Sequence, residues 1–280
     1  MIINLLADDS VAAAPSGFTT ALRAAADLIQ QSFTDNITLN LRYGWGTWNN
    51  QPYSLLTNSR AGVGGAVSID YVQYSDLRSW FNAKPALPQD QGALASLPAN
   101  PGSFPTNPDS HFGFAVASAE EKALGHFTGA TSAVDGAVGF GTASTPSQWY
   151  PLALHELTHA MGRESGVELS ASTTDVAWAL DLFRYSAPGT YQWSGTQPAY
   201  FSLDGGATNL ANFDTFGDSG DFLSNSAAPD PFNDGVLFPN LTPLDLRVMD
   251  VIGFTPAASN AIAVFDTTTG QSVPATGLAL

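Results

Sequence analysis

Five consecutive residues, His155-Glu156-Leu157-Thr158-His159, constrain this chain more than any other feature, because their spacing makes chemical sense only on a helix. Side chains four apart share one helical face, so both imidazoles can reach a single cation. Glu156 projects beside the first imidazole, close enough to hold a water against that cation. Zinc lowers the pKa of such a water toward about 7. A neighbouring carboxylate then takes its proton during attack on a carbonyl and later returns one to the leaving amine. The flanks suit a helix from about Trp149 to Met161: apolar residues lead in, Pro151 is expected near the start, and Gly162 stands where a helix stops. The chain has 4 histidines, so the pairing does not come from a histidine-rich background; His111 and His126 read as surface or core residues.

Composition narrows the chemistry further. There is no cysteine, so a metal would have to be held by imidazole, carboxylate, carbonyl or water. Against 25 acidic residues stand 9 Lys and Arg, a formal charge of -16. That balance excludes phosphate-neutralising nucleic-acid binding and disfavours an anionic membrane surface. No run approaches the roughly 18 apolar residues of a membrane span. The opening MIINLLADDS shows no basic leader followed by a long apolar core. With 44% hydrophobic residues in 280, a large core is expected, in one domain or in two lobes around a cleft.

The hydrophobic pattern implies an α+β fold with a mixed sheet. Residues 2–7 read as a strand, a helix capped by Ser16 follows over about Gly17 to Phe33, and Ile37, Leu39 and Leu41 alternate as a strand, which makes a β-α-β opening. Ala66 to Tyr71 reads as a strand, 73–82 and 114–124 as helices, and Gly-broken 134–142 as an edge strand. Residues 1–162 form an N-terminal lobe that includes the metal helix. Residues 163–254 form an irregular C-terminal lobe, with helical pieces near 173–184 and from Thr242 to Ile252, and 255–280 reads as a tail or linker.

Catalytic zinc sites use three protein ligands and keep a fourth position open. In HExxHxxGxxH peptidases a turn at the glycine brings in a third histidine; here Gly162 is present, but Ser165 occupies that position and no histidine follows His159. Asp181 is one candidate, on a short helical piece about twenty residues on. Glu164 and Glu168 are nearer but must fold back past Gly162.

The segments HELTHAMGR, DLFRYSAPG, YFSLDGGATNLANF, GDSGDF and LTPLDLRVMDVIGF together resemble a family of bacterial secreted zinc metallopeptidases distantly related to the metzincins. The likeness implies a secreted zinc endopeptidase with a zincin-like fold, acting on a protein or peptide. Leishmanolysin-like relatives place a third histidine in a Gly-rich segment about sixty residues past the helix. Asp221 of GDSGDF falls at that place, so the resemblance favours His155, His159 and Asp221 as metal ligands and Glu156 as the base. A Met-turn is also implied, yet no Met lies between Asp221 and Leu241, and Met249 reads as a core residue.

Other residues carry weaker signals. Tyr185, Tyr191 or Tyr200 could stabilise an oxyanion, although each reads first as packing. Asp204-Gly205-Gly206 reads as a tight turn. Asp214, Asp218, Asp221, Asp230 and Asp234 read equally as a solvated loop or as a structural calcium site. Arg184 is expected to pair with one of these carboxylates, and Trp45, Trp48 and Tyr53 to pack or to line a cleft. Two rival functions stand beside the peptidase: a binding or adhesion module with a relic metal site, and a zinc hydrolase of another amide or ester.

Overall fold

The structure is a computed structural model that describes residues 1–84, 91–99, 113–167, 176–223, 231–235 and 238–257, together with the strands 263–266 and 271–274. His111, Glu168 and Asp230 lie outside the described residues. The chain opens as β1 (Ile2–Ala7), α1 (Phe18–Ser32) and β2 (Thr38–Trp45), and β1 and β2 pair in parallel, the β-α-β unit expected from the pattern. Helix α1 buries Phe18, Leu22, Ala25, Leu28 and Ile29 along one stripe. Its cap is Gly17 at φ 92°, not Ser16, because the chain enters the helix through a left-handed turn that glycine adopts freely.

A small hairpin follows, β3 (Thr47–Trp48) with β4 (Gln51–Pro52), then β5 (Gly62–Ala66) and β6 (Ile69–Val72). The single strand expected over Ala66–Tyr71 is thus two. Val67 and Ser68 both turn their N–H groups to the Asp135 carbonyl, which interrupts the ladder. Helices α2 (Tyr74–Ala83) and α3 (Gln91–Ser96) precede β7 (Phe114–Ala117) and α4 (Ser118–Leu124). The helix expected over 114–124 is therefore a strand and a helix. Phe-Ala-Val-Ala is buried on both faces and lacks alternation, and Glu120 accepts the Ala117 N–H to start the helix there.

β8 (Gly136–Phe140) lies inside the main sheet, whose order is β1-β2-β8-β5. It pairs in parallel with β2 and antiparallel with β5, so 134–142 is not an edge; β5 is. Across the sheet lies α5 (Pro146–Ala160), which starts with Pro146 three residues before Trp149, so Pro151 sits inside the helix rather than near its start. Phe18, Trp45, Phe140 and Trp149 pack edge to face and lock α1, β2, β8 and α5 together.

The C-terminal half has a second, antiparallel sheet, order β10-β9-β11-β12, from β9 (Arg184–Ala187), β10 (Thr190–Tyr191), β11 (Tyr200–Phe201) and β12 (Ala211–Asn212). The helical piece expected near 173–184 is a 3-10 turn over Ala179–Phe183, with 173–175 outside the described residues. Helix α6 (Pro243–Val251) is capped by Thr242, whose hydroxyl accepts the Asp245 N–H, and buries Met249 in the core. Residues 255–257 still belong to the packed body: Asp35 accepts the Thr255 N–H, and Ala257 is buried. Strands β13 (Ala263–Asp266) and β14 (Gln271–Pro274) form an antiparallel ribbon. The molecule is mixed α+β, and no helix among the described residues is long and apolar enough to cross a membrane.

Candidate metal centre

Helix α5 can lie flush on the sheet only because the strands beneath it lack side chains at the contact. A methyl group on Gly64 would sit 2.1 Å from the Glu156 backbone oxygen, and one on Gly136 would sit 2.1 Å from that of Ala160. At Gly62 the same methyl would fall 2.2 Å from Glu156 Oε1, so this edge-strand glycine makes the space the carboxylate occupies. Thr145 and Pro146 start the helix, with Gln148 accepting the Thr145 N–H, and Gly162 at φ 112° ends it.

Both imidazoles of the motif turn their Nε2 atoms toward Asp221. His155 and His159 are 3.2 Å apart at Nε2, His159 Nε2 is 3.0 Å from Asp221 Oδ1, and His155 Nε2 is 3.3 Å from Asp221 Oδ2. All three ligand atoms lie within 4.8 Å of one another, and among the described residues no other His, Asp or Glu group of this kind forms. His155 Nδ1 meets the Pro231 carbonyl at 2.6 Å; a carbonyl only accepts, so this bond places a proton on Nδ1 and turns Nε2 toward the site. Four-coordinate zinc with nitrogen ligands at about 2.0–2.1 Å needs ligand atoms about 3.3 Å apart, so this donor set fits the ion in chemistry and in spacing.

Asp221 is placed by the C-terminal half. Its backbone is pinned by the bond from Asp214 N–H to its carbonyl, and the adjacent Phe222 packs between Phe201 and Phe213. Its Oδ1 accepts a 2.8 Å bond from Arg163, a fully buried guanidinium that also donates to the Gly220 carbonyl and the Thr158 hydroxyl and lies over the Phe232 ring. Burial opposes the charge on Asp221, but His155 and Arg163 outweigh it and hold the carboxyl well below the usual carboxylate range. Burial likewise opposes a charged His155, and Asp221 and Glu156 override it, lifting the imidazole to about 9. Burial pushes Glu156 up, while His155 and His159 pull it back.

The site opens into a cleft of about 370 Å³, lined by Arg60, Gly62, Gly64, Glu156, Asp218 and Asn233 among others. Asn233 is 1% exposed, and among the described residues its side-chain amide has no hydrogen-bond partner.

The remaining candidates sit elsewhere or serve the scaffold. Asp181 is buried and accepts from the Ser165 hydroxyl and from the Gly166 and Trp178 N–H groups, so it ties the post-helix segment to the 3-10 turn. Glu164 does fold back past Gly162, but onto the Nδ1 side of His159, at 3.9 Å. Among the described residues Arg184 makes no ion pair within 4 Å; it donates to the Ser219 carbonyl and stacks over Phe213, and burial lowers it to about 10. Tyr185 and Tyr191 bond each other, Tyr200 bonds the Gly206 carbonyl, and none of the three lines the cleft. Trp45 and Trp48 are packed, the latter donating to the Ala137 carbonyl. Asp204 accepts from Thr208 in the expected tight turn. Asp214 accepts the N–H groups of Thr215, Phe216 and Gly217, and Asp218 that of Gly220, so these carboxylates cap their own loop. The sequence reading missed Arg163, Asn233 and the outer position of Glu164. An arginine directly after the helix stop, in a chain with 9 cationic residues, was the one available signal.

Comparison with protein families, with curated proteins and with solved structures finds no match to this chain.

Proposed function

We propose that this chain is a secreted zinc-dependent endopeptidase of zincin-like fold. One observation carries the reading: two imidazole Nε2 atoms and a carboxylate converge within 4.8 Å, and the buried Glu156 lines the same cleft. His155, His159 and Asp221 would hold the ion. Zinc bound there supplies Lewis acidity that polarises a carbonyl and brings a water pKa toward about 7. Glu156 accepts the proton of the attacking water and passes it to the departing amine nitrogen. Burial raises its carboxyl above the ordinary carboxylate range, the direction that favours holding a proton. Arg163 fixes the Asp221 carboxylate and balances its charge. Gly62, Val63 and Gly64 of edge strand β5 line the cleft, so an extended peptide can add to that edge through backbone hydrogen bonds.

This use of the strand edge favours a peptide over a small ester, which has no N–H to offer it. The test is cleavage of a denatured protein beside turnover of a small ester, each before chelation, after chelation and after zinc is returned. Protein cleavage that a chelator stops and zinc restores is expected. Ester turnover without protein cleavage would move the assignment to another hydrolase, and no chelator-sensitive turnover of either substrate would end the enzyme reading.

A further inference from the structure

The turn behind the metal helix leaves two buried polar atoms facing each other with their hydrogen bonds unmade. Among the described residues His159 Nδ1 and Glu164 Oε1 each lack a hydrogen-bond partner, and they lie 3.9 Å apart. Buried polar groups in folded proteins are nearly always satisfied, so two orphans side by side need a physical account. His159 is 2% exposed, and its Nε2 already faces His155 and Asp221. A ring that offers its Nε2 lone pair must carry its proton on Nδ1, where Glu164 is the nearby acceptor. Because that N–H cannot reach water, it needs this partner.

We propose that Glu164 is the positioning residue that takes the Nδ1–H of His159 and so holds the ring in its metal-binding tautomer. The inference rests on the metal-binding reading above. The chain is shaped to bring this carboxylate back. After Gly162 the Glu164 N–H bonds the Gly162 carbonyl at 2.7 Å, a tight turn that reverses the side chain over the helix end. Gly65 on β5 faces this carboxylate, and even a methyl there would make only ordinary contact with Oε1, at 3.4 Å. Arg163, the adjacent cation, is directed to Asp221 and the Gly220 carbonyl instead. A rotation of the carboxylate that closes about 1 Å makes the bond. The two ligands would then be oriented alike, His155 by the Pro231 carbonyl and His159 by a carboxylate.

The test is zinc affinity, by competition with a chromophoric chelator, for wild type, Glu164→Gln and Glu164→Ala. Alongside it, nitrogen-15 NMR of the imidazoles reports the protonated ring nitrogen of zinc-loaded His159. The expected result is affinity about 10–100-fold weaker in Glu164→Ala, with partial rescue in the near-isosteric Glu164→Gln. In wild type the Nδ1 proton of His159 should be seen and protected from exchange, and in Glu164→Gln that protection should fall. Wild-type affinity in both variants, or a His159 Nδ1 proton indifferent to Glu164→Gln, would overturn the assignment while leaving the metal reading intact. Wild type that binds no zinc would instead remove the metal reading and this inference with it.

Discussion

Two aspartates competed for one role, and their surroundings separate them. Asp221 faces both imidazoles and is held by a buried arginine, whereas Asp181 spends both its oxygens on a hydroxyl and two backbone N–H groups. Asp221→Asn is therefore expected to weaken zinc binding on the order of 100-fold or more. Asp181→Asn should keep its zinc and lose about 1–3 kcal/mol of stability, because an amide cannot accept all three bonds. Zinc titration and urea unfolding of the two variants check this, and the reverse pattern would exchange their roles. The helical pair and Glu156 were legible because their geometry is local: a spacing of four on a helix is enough. Asp221 was reached through family resemblance alone. Glu164 was legible only as a possible ligand and Arg163 not at all, because what they touch depends on how the chain reverses at Gly162 and, for Arg163, on a loop 57 and more residues away.

At the scale of elements, the site depends on how closely a helix can approach a strand. Gly64 meets the α5 backbone itself, while neighbouring Gly65 faces the other side of the strand, toward Trp48 and Glu164, at ordinary contact distances. Gly64→Ala must push β5 away from the helix, so a loss of about 1–3 kcal/mol is expected, with weakened zinc binding. Gly65→Ala should cost less than about 1 kcal/mol. Denaturant midpoints of the two single variants test it, and equal losses would contradict the contact described. The first three elements were legible because α1 and β2 carry clean periods. Three others were not. Phe114–Ala117 is buried on both faces and has no alternation. Residues 134–142 took an interior place because β2 and β5 flank them from distant parts of the chain. The strand expected after Ala66 broke because one carbonyl, that of Asp135, captured two successive N–H groups.

Over the whole molecule, the centre sits where two halves meet. The helix that carries both imidazoles belongs to the first half, while Asp221 and the Pro231 carbonyl come from the second. An ion bound at that seam would join the halves as well as act on substrate, and it would be stabilised by a chain whose formal charge is -16. The mixed α+β class was legible from hydrophobic periods, because a period reports which face is buried. The meeting of the halves was not, because it is made by loops whose sequences carry no period. The most direct test of the central claim is zinc content and cleavage of a denatured protein, measured on the same preparations of wild type and Glu156→Gln. The expected result is about one zinc per chain in both, with cleavage falling about 10²–10⁴-fold in the variant. A zinc-loaded Glu156→Gln that cleaves at the wild-type rate, or a wild type that takes up no zinc, would contradict it.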